Sequence, residues 1–140
     1  MPKPPLPEEL QEFLAQPNPA AIATLDPDGS PHTAATWYLW EDGGVVVNMA
    51  QSRKRLQHMR DDPRVSITVM GRGDGWYHHV TLKGRVTGLE DDAGLVHIDR
   101  LSRHYMGNDY GARHQGRVTA WIEVDWWHAW DMGQPWTPTD

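Results

Sequence analysis

The sequence has 140 residues, 39% hydrophobic and 23% charged, which suits one domain with one core and leaves no room for two. Its 13 Lys and Arg against 19 Asp and Glu give a net charge of −6, which argues against a nucleic-acid partner because neutralising phosphates needs a basic face. There is no cysteine to form disulfides, thiolate metal sites or a thiol nucleophile, and no apolar run near the ~18 residues of a membrane span.

The opening MPKPPLPEEL has neither the basic nor the apolar region of a secretory signal, so a cytoplasmic protein with no membrane partner is expected. Leu6, Leu10, Phe13 and Leu14 fall at helical spacing before Pro17 and predict a short amphipathic helix. Residues 20–25 read as a strand. Asp26-Pro27-Asp28-Gly29 is a turn, with Pro setting φ and Gly taking the positive-φ position. Residues 32–40 and 45–49 read as the second and third strands, separated by Glu41-Asp42-Gly43-Gly44. Ser52 is placed to cap a helix over residues 53–60, which Asp61-Asp62-Pro63 stops. Residues 65–70 form a fourth strand and residues 76–89 a long fifth, bent at Gly84. Asp91 or Asp92 opens a third helix with Leu95, Ile98, Leu101 and Tyr105 on one face, and residues 106–116 are a polar loop. Residues 118–124 make a sixth strand, followed by Trp126-Trp127-His128-Ala129-Trp130. The pattern predicts a mainly β, six-stranded antiparallel barrel with short helices at its rims. Residues 8–130 form its one domain, and residues 1–7 and 131–140 are mobile terminal arms.

Asn48-Met49-Ala50-Gln51-Ser52-Arg53-Lys54-Arg55 is the most informative stretch. A strand end feeds a polar turn, and three cations sit where a helix begins. Cations there oppose the helix dipole by ~0.3–1 kcal/mol. They either form an anion site with the free amides of the first turn or make a solvated basic face. The eight histidines show no HExxH pattern, and His78 and His79 alternate faces of a strand, so no metal site is expected. No GxSxG motif or acid–base pair stands out either, which fits chemistry supplied by a cofactor. Eight Trp against one Phe suit a core, an interface or a planar ligand.

Several segments, taken in order, resemble the split β-barrel oxidoreductases related to pyridoxamine 5′-phosphate oxidase, and more closely the branch that uses the deazaflavin coenzyme F-420. They are Ala21-Ile22-Ala23-Thr24-Leu25 with Asp28-Gly29-Ser30-Pro31, then Thr36-Trp37-Tyr38, then Val47-Asn48 leading to Ser52-Arg53-Lys54-Arg55. Arg60-Asp61-Asp62-Pro63-Arg64-Val65-Ser66, Gly75-Trp76-Tyr77 and the last strand into Trp126 and Trp127 complete the set. The resemblance implies a homodimer with two cofactor sites at its interface. Arg53, Lys54 and Arg55 would hold the cofactor phosphate, with Ala50 and Ser52 in the adjoining turn. Thr36, Trp37, Asn48 and Met49 would line the ring, and Trp76 and Tyr77 would reach it from the partner subunit. The chain departs from the family at His58-Met59, often Asn-Leu, and at Ala34-Ala35, where some members carry Asn. The activity implied is hydride transfer from reduced F-420 to a small conjugated or aromatic acceptor, with no protein acid–base residue assigned. Lys54, Arg60 and Arg64 would suit the oligoglutamate tail of that coenzyme. An FMN-dependent oxidoreductase of the pyridoxamine 5′-phosphate oxidase type and a non-catalytic dimer binding a flavin-like ligand are the alternatives.

Overall fold

The computed structural model describes residues 2–73, 75–131 and 134–136. The elements are α1 (Glu8–Leu14), β1 (Ala20–Leu25), β2 (Pro31–Thr36), β3 (Leu39–Glu41), β4 (Gly44–Ala50), α2 (Lys54–Asp61) and β5 (Arg64–Gly71). They continue as β6 (Gly75–Asp91), α3 (Val96–Met106), β7 (Arg117–Asp131) and β8 (Gln134–Pro135). All strand pairings are antiparallel, and the sheet runs β2-β1-β5-β6-β7-β4-β3, with β8 added to β7.

The two edges of this sheet are one continuous piece of chain. β2 ends at Thr36 on one edge and β3 begins at Leu39 on the other. Three residue steps reach at most ~11 Å, so the sheet must roll until its edges nearly meet. What results is a barrel with a gap between β2 and the β3–β4 edge. The predicted second strand over residues 32–40 is therefore two strands. Trp37 and Tyr38 leave the ladder between them, and Tyr38 turns inward until fully buried, its hydroxyl donating to the Leu14 carbonyl at 2.7 Å. An unpaired buried hydroxyl would cost ~1–3 kcal/mol, so this bond fixes the crossover.

The described residues thus carry eight strands, against six expected. The two additional strands are the split of the second and the short β8; β7 is also longer than expected and runs on through Trp126–Trp130 with Trp127 and Ala129 buried. The aromatic tail is strand because its side chains alternate between core and surface. At Gly84, where a bend was expected, the β6–β7 register shifts between Lys83 and Gly84, leaving Asp125 of β7 as the extra residue. Gly29 and Gly43 take positive φ in the two hairpin turns, the conformation glycine adopts without steric cost.

The core is built from alternating positions of β1, β5, β6 and β7, with Ile22, Ile67, Val69, Leu82 and Ala120 almost wholly excluded from solvent. The amino-terminal arm is docked where a mobile one was expected. Leu6 enters the core, and Trp127 donates to the carbonyls of Pro2 and Lys3. Of the expected arms, residues 1, 132, 133 and 137–140 lie outside the described residues, as does residue 74 of the β5–β6 turn. Among the described residues no helix is long and apolar enough to cross a membrane.

Candidate functional site

The gap in the barrel opens into two adjoining cavities of about 650 and 660 Å³. Ala35, Arg53, Arg55, Tyr110 and Arg117 border both, so they act as one groove with a shared wall. The first cavity is lined by Thr36, Trp37, Asn48, Tyr105 and Arg72 among others. The second is bounded by His32, Ala34, Met49, Ala50, Ser52 and Lys54.

Charge in this groove is one-sided. Arg53, Lys54, Arg55, Arg72 and Arg117 line it with no Asp or Glu among the lining residues, and none of the five forms an ion pair among the described residues. Burial, helped by the charges of Arg53 and Arg117, holds the Arg55 guanidinium below its ordinary pKa. Its Nη2 donates to the Asn48 carbonyl at 3.2 Å, while its Nε is buried with no partner. α2 begins beside it with no acidic residue in its first turn and no side-chain cap. Ser52 does not cap this helix; Arg53 is the N-cap residue. Free amides, converging guanidiniums and an unpartnered buried donor fit an anion of the size and charge of a phosphate.

Two anchors hold these charges in place. Asn48 is buried; its Nδ2 donates to Asp92 at 3.1 Å and to Thr119 at 3.0 Å, and its Oδ1 accepts from Arg117 Nε at 2.7 Å. Asp92 in turn accepts from the amides of His97 and Ile98, so it caps α3 from four residues ahead. The second anchor is His58 on α2, which meets Thr24 Oγ1 at 2.9 Å and Asp26 Oδ1 at 2.8 Å. These contacts clamp the helix that carries Lys54 and Arg55 onto β1, a job that the departure at His58 performs here.

An aromatic wall completes the groove. Trp37 lies flat on Tyr105, with centroids 5.4 Å apart and planes 12° apart, and meets Tyr110 edge-on. Tyr105 donates to the Asn18 carbonyl at 2.7 Å, and burial pushes its pKa up to about 12, so the phenol stays protonated and is already committed. Tyr110 carries the Arg117 guanidinium 4.7 Å above its ring. Asp99 fixes its loop, accepting from the Tyr110 amide at 3.0 Å and from Arg113 at 2.6 Å.

Of the predicted site residues, Thr36, Trp37, Asn48, Met49, Ala50, Ser52, Arg53, Lys54 and Arg55 all border the groove. Asn48 and Met49 do so differently from the expectation: Met49 is fully buried in the core, and the Asn48 amide is spent on Arg117, Asp92 and Thr119. Trp76 and Tyr77 do not join the groove of their own chain. They stack on each other at the β5–β6 turn, 61% and 48% exposed. Arg64 is engaged by Asp62 at 2.7 Å and is not a spare cation. Arg72, Tyr110 and Arg117 were missed. Arg117 enters because its position pairs with Ala50 across β4 and β7, a register that no local motif announces.

The chain matches the pyridoxamine 5′-phosphate oxidase family over residues 6–131. It belongs to that family. Among curated proteins no relative matches it. Solved structures share the fold: an F-420 reductase superposes with a TM-score of 0.78 at 22% identity, covering 87% of this chain and 98% of its own. A conserved hypothetical protein of Mycobacterium tuberculosis gives 0.72 at 22% identity, covering 99% and 94%. A heme binding protein of Mycobacterium smegmatis gives 0.68 at 18% identity, covering 99% of this chain and 60% of its own. The split barrel of the family is thus the architecture observed here, and an oxidoreductase-like fold is what this membership establishes.

Proposed function

We propose that this family member is a cytoplasmic, homodimeric oxidoreductase that binds coenzyme F-420 in the groove and passes hydride to a small conjugated or aromatic acceptor. The observation that carries the reading is the cluster of Arg53, Arg55 and Arg117 at the start of α2, without a carboxylate and with the Arg55 Nε unpartnered. Those residues would hold the phosphate. Trp37, backed by Tyr105, gives the ring a flat apolar neighbour, and Ala34 and Ala35 leave space where larger side chains would close the groove. When bound, the coenzyme supplies the hydride; the chain fixes its position, orients the ring and keeps water from the reacting face. Exposed, stacked Trp76 and Tyr77 support a dimer in which each chain covers the partner's groove.

FMN is the second reading, favoured by the same cluster, because its phosphate would meet the same guanidiniums. A heme binding protein among the structural neighbours keeps a third, ligand-binding role in view. Titrating the purified protein with F-420 and with FMN, followed by turnover assays of reduced F-420 with a panel of acceptors, separates them. The proposal expects F-420 to bind more tightly, and reduced F-420 to be oxidised as the acceptor takes up hydride. Tight yellow FMN with no F-420 binding would overturn the choice of coenzyme, and binding without turnover would overturn the enzyme.

A further inference from the structure

One cation of the groove stands apart from the others. Arg53 and Arg55 enter from the start of α2 and Arg117 from β7, but Arg72 follows β5. Arg72 borders the first cavity and not the second, whereas Arg53, Arg55 and Arg117 border both. The Met70 amide bonds the Pro19 carbonyl at 2.9 Å, which sets this end of β5 beside the segment before β1. The first cavity is otherwise lined largely by apolar or aromatic residues, Pro17, Pro19, Trp37, Ile98, Leu101 and Tyr105 among them. Arg72 has no ion pair among the described residues, and no carboxylate lines the cavity with it. The Arg72 charge reaches Tyr105, the ring on which Trp37 is stacked.

A single guanidinium differs from a cluster in what it recognises. Its planar fork matches one carboxylate with two parallel hydrogen bonds, whereas a phosphate, with more acceptor oxygens, gathers several donors, as the cluster of Arg53, Arg55 and Arg117 provides. A flat acceptor lying against the cofactor ring, with one anionic end turned to Arg72, would therefore not compete for the phosphate cluster.

We propose that Arg72 is a specificity-determining residue that receives the carboxylate of the acceptor, so that the substrates of this site are flat conjugated or aromatic acids. This rests on the reading of the groove as a cofactor and acceptor site.

Cinnamic acid and cinnamamide, equal in shape and different in charge, are the probes. Their binding to the chain and to Arg72→Gln is measured by calorimetry at neutral pH, with and without F-420. The expected result is that the parent prefers cinnamate over cinnamamide. Arg72→Gln should weaken cinnamate by about tenfold or more while leaving cinnamamide and F-420 affinities unchanged, and Arg72→Lys should recover part of the loss. Equal weakening of both probes would make Arg72 a shape element only. Weakened F-420 binding would assign it to the cofactor. Unchanged cinnamate affinity, or no cinnamate binding to the parent at millimolar concentration, would also overturn the proposal. If F-420 itself fails to bind while the Arg72-dependent preference for cinnamate persists, the choice of coenzyme falls and the carboxylate site stands.

Discussion

Asn48 is neutral, yet it governs where the positive charge of the groove sits. Its Oδ1 fixes Arg117 at Nε, its backbone carbonyl receives Arg55, and its amide nitrogen ties both to Asp92 and Thr119. Removing that amide leaves a buried charged donor without its partner, at a cost of ~1–3 kcal/mol. Asn48→Leu should therefore lower the urea midpoint and, because Arg117 loses its anchor, weaken cofactor binding in step. Thr119→Val, which removes only one neutral acceptor, should lower stability less and leave affinity near the parent value. Equal effects of the two changes on affinity would show that Asn48 does not position Arg117. The sequence points to Asn48 as a site residue because it closes the strand before the basic turn. What it does is set by Arg117 and Asp92, 69 and 44 residues away in the chain, and no local spacing encodes that.

At the scale of elements, chemistry confined to neighbouring residues is readable and long-range pairing is not. The hairpin turns at Gly29 and Gly43 follow from glycine itself. The split of the second strand does not, because residues 31–41 keep a strand-like composition throughout and only the rolled sheet parts them. Likewise the aromatic stretch after residue 124 continues β7 because β6 is long enough to pair with it, from His78↔Asp131 to Asp91↔Val118. Gly84 tests this geometry. A Cβ there would collide with the Glu123 carbonyl of β7, whereas one at Gly111 would meet nothing within 4 Å. Gly84→Ala should cost about 1–3 kcal/mol, as overpacking against a rigid backbone does, and lower the melting temperature by several degrees. Gly111→Ala should be silent. A Gly84→Ala variant as stable as its parent would mean that the bulge relaxes freely.

Over the whole molecule, carboxylates outnumber cations by six, yet the groove gathers five cations and no carboxylate. A bound anion would relieve the repulsion this concentrates, which would tie the overall charge distribution to the proposed function. The stacked pair at the β5–β6 turn is the other large-scale imbalance: Trp76 is 61% exposed beside Tyr77, and indole is enriched where surfaces meet. Sedimentation should give twice the monomer mass. F-420 should quench part of the tryptophan fluorescence, and Trp76→Phe should remove a recognisable share of that quench while changing turnover more than melting temperature. A monomer that binds F-420 normally, or a quench indifferent to Trp76→Phe, would separate this turn from the site.

The central claim is that the cluster at the start of α2 grips the cofactor phosphate, and the affinity of F-420 for the Arg53→Ala/Arg55→Ala double variant tests it most directly. Two charge-assisted contacts at ~1.5–3 kcal/mol each predict a loss of about two orders of magnitude or more in affinity, with the far-ultraviolet circular dichroism unchanged because both side chains reach the groove from the edge of the fold. Parent-like affinity in a folded double variant would contradict the account and return the cluster to a solvated surface.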